Sequence, residues 1–150
     1  NSIKLKKLIY LICNSEPFEL NITKLAQKIE INRNTLYQYL YYLDRGDIIK
    51  LLDSKTRGDS IFVKPQKVYL NNTNLNYVYC DNQQIGTIRE TFFVNQLFKH
   101  KLLYPKQGDF LVNDKYIFEI GGKNKTKKQI QNISNSFIVK DKIEIGSNEI

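Results

Sequence analysis

The strongest constraint in this chain is a corner between two helices. Asn21 precedes Ile22, Leu25, Ala26 and Ile29, and Asn32 precedes Leu36, Leu40 and Leu43. Each spacing gathers the apolar residues on one helical face. Asparagine is a strong N-cap, because its side-chain oxygen accepts an otherwise unpaired N–H of the first turn. Only residues 30–32 separate the two stripes, so the second helix must leave the first at a sharp angle, as in a helix-turn-helix. An earlier stripe, Leu5, Leu8, Ile9 and Ile12, predicts a first helix, and Pro17 ends it. Gly46 is expected in the left-handed position that closes the third helix. Beyond it the pattern becomes extended, with strands predicted at 48–52 and 60–64 around the polar turn 53–59. Three helices and a hairpin make a winged helix-turn-helix.

In that arrangement the third helix enters the major groove with its N-terminal residues on base edges. The candidates are Arg33, Asn34, Thr35, Tyr37 and Gln38. Arginine pairs with guanine, asparagine or glutamine with adenine, and threonine meets the thymine methyl. Lys55 and Arg57 at the wing tip are the expected phosphate contacts. The aromatic run Tyr37, Tyr39, Tyr41 and Tyr42 equally suits a packing surface, and fold alone does not choose between DNA and an interdomain role.

Charge supports an anionic partner, with nucleic acid first. The chain has 150 residues and a formal net charge of +8. Residues 1–70 hold twelve bases against seven acids, 71–120 five against five, and 121–150 six against three. The basic character therefore lies in two blocks around a neutral middle. No apolar run reaches the roughly 18 residues of a membrane span, so no membrane partner is expected. His100 is the single histidine, which excludes a multi-histidine metal site. Cys13 and Cys80 show neither metal spacing nor a disulfide framework, so a reducing cytoplasm is the expected location.

The Asn-rich stretch 71–84 reads as a junction with a short helix near 75–78. After it, Thr87 to Glu90 forms a capping-box pattern for a helix running to about His100. Strands are predicted at 102–104, 109–112 and 116–120. A second capping box at 126–129 predicts a helix with Ile130 and Ile133 inward, followed by strands at 137–139 and 143–145. The order αβββαβ is the core order of the PD-(D/E)XK nuclease-like fold. The fold class is therefore α+β: a winged helix-turn-helix at 1–70, a junction at 71–84, and a small α/β nuclease-like domain at 85–150. Three acids fall where that fold places its site: Glu90, Asp109 and Glu119. With a three-residue turn at 113–115, Asp109 faces Glu119 across a hairpin, whereas a two-residue turn would separate them. Facing carboxylates can hold Mg2+ or Mn2+ through oxygen. Each acid also has an ordinary structural reading, as a cap, a turn residue or a solvated strand end.

Together these residues resemble the C-terminal half of a group of bacterial and archaeal AAA-type ATPases. There an ATPase domain precedes a winged helix and a PD-(D/E)XK-like domain of unknown function. The resemblance rests on residues 32–43 with Gly46, and on Lys67-Val-Tyr-Leu70 leading into Asn72-Thr-Asn-Leu75. It rests most specifically on Glu90-Thr-Phe-Phe-Val-Asn-Gln-Leu97, and on Asp109-Phe-Leu-Val with Phe118-Glu-Ile-Gly-Gly-Lys-Asn-Lys125. It implies an upstream ATPase domain as partner in the same protein. The sequence given has no P-loop, since Gly122-Lys123 lacks the earlier glycine and the following Ser or Thr. It stops within a strand-like stretch, as a fragment would. One departure concerns the motif lysine: two residues after Glu119 stands Gly121. Lys123 is taken as the catalytic substitute, with Lys125 close by in sequence. The expected function is a DNA-binding module with a nuclease-like domain lacking activity. The alternatives are an active metal-dependent nuclease and a scaffold without nucleic acid.

Overall fold

A computed structural model describes residues 2–15, 20–53, 65–82 and 84–142. The expected wing turn with Lys55 and Arg57, and the strands expected at 60–64 and 143–145, lie outside the described residues. The described architecture is mixed α+β, with five α-helices and two small sheets.

The three expected helices form: α1 (Ser2–Cys13), α2 (Ile22–Lys28) and α3 (Arg33–Arg45). Asn21 accepts from Lys24 N at 3.0 Å and Asn32 from Thr35 N at 2.8 Å, so both caps act as the sequence requires. Leu8, Ile12, Ile22, Ala26, Ile29, Leu36, Leu40 and Leu43 meet in one core. The helix ends are the first correction. Gly46 has a right-handed φ of −86°, and the left-handed residue is Asp47 at 54°. Ile48 N reaches back to Leu43 O at 2.9 Å, so the closure is a Schellman turn displaced by one residue. Asp47 tolerates this conformation, and its carboxylate pairs with Lys50 at 2.8 Å. Glu30 (φ 56°) performs the same role between α2 and α3.

β1 (Ile49–Leu52) pairs antiparallel with β2 (Lys67–Leu70), from Ile49 opposite Leu70 to Leu52 opposite Lys67. All four residues of β2 are buried. Val68 and Leu70 enter the helical core, while Leu52 of β1 and Tyr69 of β2 enter a second core with Val94, Phe110 and Ile120. The strand thus divides two cores and belongs to both, beside the boundary expected after residue 70.

α4 (Thr73–Tyr79), capped by Asn72, occupies the expected junction. α5 (Ile85–Gln96) starts two residues before Thr87 and ends well before His100; its N-cap is Gln84, with no side-chain cap bond. Glu90 therefore lies inside the helix and does not close a capping box. The second sheet runs β3 (Leu102–Leu103), β4 (Phe110–Val112), β5 (Tyr116–Gly121) and β6 (Ser136–Lys140). Its first three strands are antiparallel and β6 is parallel to β5. The expected helix after Thr126 is a single 3₁₀ turn at Lys127–Gln129. Asn132 and Asn135 take left-handed φ values there, and such residues favour turns over helix. Ile130, 1% exposed, anchors the crossover.

The reading of Cys13 and Cys80 as separate thiols is also overturned. They are bonded, with Cα atoms 5.2 Å apart, tying the end of α1 to the residue after α4. α1 and α4 pack together, and that contact, invisible in the spacing, brings the sulfurs together. Closing a loop of 67 residues in separation is worth about 4 kcal/mol by chain entropy. Reduction is expected to lower the urea midpoint of the full chain accordingly, and Cys13→Ser should lower it equally while abolishing its dependence on thiol reductant. Asn32→Ala should cost about 1 kcal/mol in the same measurement.

Candidate functional site

Two surfaces hold the residues singled out by sequence. The first is α3. Its inward positions are committed to the core, which leaves Asn34, Gln38, Tyr41, Tyr42 and Arg45 exposed along the opposite face. Arg33 is exposed at the first turn, beside an open cleft of about 420 Å³ lined by Thr23, Gln27, Asn32, Arg33 and Asn34. Lys24 and Lys28 are exposed on neighbouring α2. Thr35 is half-buried. Tyr37 and Tyr39 pack against the helical core and are withdrawn from the outer face.

The second surface is built around the three acids. The hairpin register is the one a three-residue turn requires: Phe110 opposite Phe118, Leu111 opposite Ile117, Val112 opposite Tyr116. Asn113 and Asp114 take left-handed φ values of 52° and 56°, as a tight hairpin turn demands. Asp109 stands one residue before β4, outside that ladder, beside the Phe118–Ile120 stretch of β5. Asp109 N donates to Phe118 O at 2.9 Å, and its Oδ2 accepts from Ile120 N at 2.7 Å. Gly108 precedes it at φ 84°, where a Cβ would stand 2.7 Å from Ile117 Cγ2; only glycine fits that approach.

Glu119 is wholly buried. Its Oε1 is ion-paired with the Lys125 ammonium. With its amide nitrogen turned inward, Gln129 donates to both Glu119 oxygens, at 2.5 and 3.2 Å. A buried carboxylate requires such partners. Lys125, not Lys123, is therefore the lysine at this acid; Lys123 is exposed. Position 121 explains the choice. A Cβ on Gly121 would lie 2.5–2.7 Å from the Lys125 stem, so that stem fills the space a side chain at 121 would take.

Glu90 projects from α5 toward β2. The Tyr69 hydroxyl donates to its Oε2 at 2.6 Å, and the Lys67 ammonium stands 3.8 Å away. Burial raises the Glu90 pKa, and Asp109 and Glu119 add to the rise; Tyr69 and Lys67 oppose it. Burial, and then Glu90 itself, pushes the Tyr69 phenol far up, so it remains a donor. Sequence reasoning named Lys125 only as the neighbour of Lys123, and passed over Lys67, Tyr69 and Gln129 as site residues. Lys67, Tyr69 and Lys125 lie within the segments carrying the family resemblance, whereas Gln129 lies outside them and figured only in the expected capping box at 126–129.

Asp109 and Glu119 supply oxygen donors of the kind Mg2+ and Mn2+ take. As arranged, the Glu119 oxygens are held by Lys125 and Gln129. Among the described residues no three Asp, Glu, His or Cys side chains are gathered as a metal-binding group. Nor is any described helix long and apolar enough to cross a membrane. No family model, curated protein or solved structure matches the chain.

The Glu90 environment has a pH consequence. Its folded pKa lies above the ordinary glutamate value. Its contribution is therefore fully present at acidic pH and is lost as pH rises from the ordinary glutamate range through the raised value. Tyr69→Phe removes a bond that favours the ionised form, so the Glu90 pKa should climb further and the loss should steepen. Carboxyl-carbon NMR titration of Glu90, with urea unfolding across pH, reads both; the variant should cost about 1.5–3 kcal/mol with Glu90 ionised and less when protonated.

Proposed function

We propose that the chain is a DNA-binding module of an AAA-type ATPase, reading duplex DNA through a winged helix-turn-helix. The observation that carries this reading is the outer face of α3. Arg33, Asn34 and Gln38 are exposed there because Leu36, Leu40 and Leu43 anchor the opposite face. These side chains suit base edges, and the lysines of α2 suit phosphate. The attachment to an ATPase rests on the sequence resemblance alone. DNA affinity should fall steeply with salt, as counterion release requires. Arg33→Ala should cost about 1–3 kcal/mol at preferred sites, and Arg57→Ala should weaken binding to all sequences. Fluorescence anisotropy with labelled duplexes at two salt concentrations measures this. Unchanged affinity in both variants would exclude the reading.

One observation favours a second reading, metal-dependent phosphodiester hydrolysis of the PD-(D/E)XK type. Lys125 fills the space over Gly121 and reaches Glu119, which answers the missing motif lysine. Asp109 and Glu119 would hold Mg2+ or Mn2+, whose chemistry there is to activate water and to steady phosphate charge. In this reading Lys125 holds Glu119 in place and offers a proton donor beside it, and Glu90 completes the acid wall. Cleavage of plasmid DNA with Mn2+ should fall about 100-fold or more in Lys125→Ala and remain unchanged in Lys123→Ala. Equal effects of the two substitutions would contradict the assignment of Lys125.

A further inference from the structure

The Cys13–Cys80 bond lies in the wall of a cleft of about 190 Å³, which both cysteines line. Asn76 of α4 stands in the same wall and is only 4% exposed. Its Nδ2 donates to Cys80 Sγ at 3.8 Å, whereas its Oδ1 is buried with no hydrogen-bond partner among the described residues. A buried amide oxygen left in that state costs about 1–3 kcal/mol, and a donor entering the cleft recovers it. The remaining wall is the start of α5, through Gln84 and Thr87. Gln84 is the N-cap of that helix but makes no side-chain cap bond. An uncapped helix N-terminus keeps unpaired N–H groups and attracts an anion. The described lining of the cleft carries no ionised side chain to compete with one. Three chemistries therefore meet in one place: a disulfide, an acceptor without a donor, and a helix end without an anion. A peptide thiol with a free carboxylate matches all three. Its thiolate meets the sulfurs, its amide N–H meets Asn76 Oδ1, and its carboxylate meets α5. The cleft is smaller than the roughly 300–1,000 Å³ of drug-sized sites, so it suits a ligand of this small size.

We propose that this cleft binds a low-molecular-weight peptide thiol of the glutathione class, and that Cys13 is the residue the thiol modifies. The incoming thiolate bonds to Cys13 Sγ as the Cys13–Cys80 bond breaks, and the electron pair of that bond leaves on Cys80 Sγ. The Asn76 N–H steadies the charge there, and the thiol with the lower pKa leaves faster. The Cys80 thiolate then takes a proton from water. A second thiolate removes the first from Cys13 as the symmetric peptide disulfide. The protein gains two electrons, and the two peptide thiols lose them. Either product unties α1 from the residue after α4.

The test uses the air-oxidised full chain as wild type, Gln84→Glu and Asn76→Leu, with folding checked by circular dichroism. Glutathione is compared with 2-mercaptoethanol, which has neither carboxylate nor amide, at equal thiolate concentration. Opening of the bond is followed by intact mass in acid-quenched samples, and peptide mapping locates the first adduct. The wild type should open about tenfold faster or more with glutathione, the worth of one charge-assisted hydrogen bond, and the first adduct should be on Cys13. Gln84→Glu sets a like charge at the start of α5, and should slow glutathione about threefold or more relative to 2-mercaptoethanol. Asn76→Leu removes the N–H at Cys80 Sγ together with Oδ1, so it should slow both thiols and glutathione the more. Should Asn76→Leu not fold, Gln84→Glu decides alone. Equal rates of the two thiols in the wild type, or a glutathione preference that Gln84→Glu leaves intact, overturns the proposal. So does a first adduct on Cys80, or a chain that keeps both cysteines as thiols in air.

Discussion

The structure depends on a four-residue strand buried on both faces. β2 directs Val68 and Leu70 into the helical core and Tyr69 into the core under α5. A strand so placed cannot be fully solvated from either side, and each large apolar side chain it buries is worth about 1.5–3 kcal/mol. The two halves are therefore not beads on a linker. The Cys13–Cys80 bond ties α1 to the segment after α4, and Asn95 Nδ2 donates to Asn71 O at 3.0 Å, so α5 is also fixed to the chain just beyond β2.

The same strand sets the electrostatics of the acid site. Three carboxylates near one another in a half-buried place repel, and burial raises the cost of ionising each. The chain answers with two ammoniums from separate elements, Lys67 on β2 and Lys125 after β5. Such pairs add little net stability once desolvation is counted, but losing one partner leaves a buried charge alone. Their effect is geometric: Glu119 is held by Lys125 and Gln129, and Glu90 by Tyr69. Arg89 pairs with Asp141 at 2.6 Å and lies against Gly122, fixing the start of the crossover to α5.

Much of this was legible before any coordinates. The two asparagine caps and their stripes are local, because a cap and its helix are neighbours in sequence. The β4–β5 hairpin was legible for the same reason: a three-residue turn fixes the register, which holds as far as Phe110 opposite Phe118. Failures came where distant residues decide. Thr126 to Gln129 has the letters of a capping box, yet the parallel crossover leads into Asn132 and Asn135 turns and only one 3₁₀ turn forms. Thr87 to Glu90 has the letters too, but α5 already begins at Ile85, so both lie inside the helix and Glu90 takes the Tyr69 hydroxyl instead. β2 itself was hard to read as a strand, since burial on both faces erases the alternation that marks one.

The sequence by itself determined the helical corner, the caps, the three-residue turn and register of the β4–β5 hairpin, and the two basic blocks around a neutral middle. Each follows from steric and hydrogen-bonding rules acting within a dozen or so residues. Only the tertiary structure decided which lysine meets Glu119, what Glu90 faces, and that Cys13 and Cys80 meet. These depend on side chains brought together from separate elements, Lys67 and Tyr69 on one strand and Glu90 on a helix some twenty residues later. Local rules fix the shape of each element. Burial of charge, which only packing creates, selects its partners.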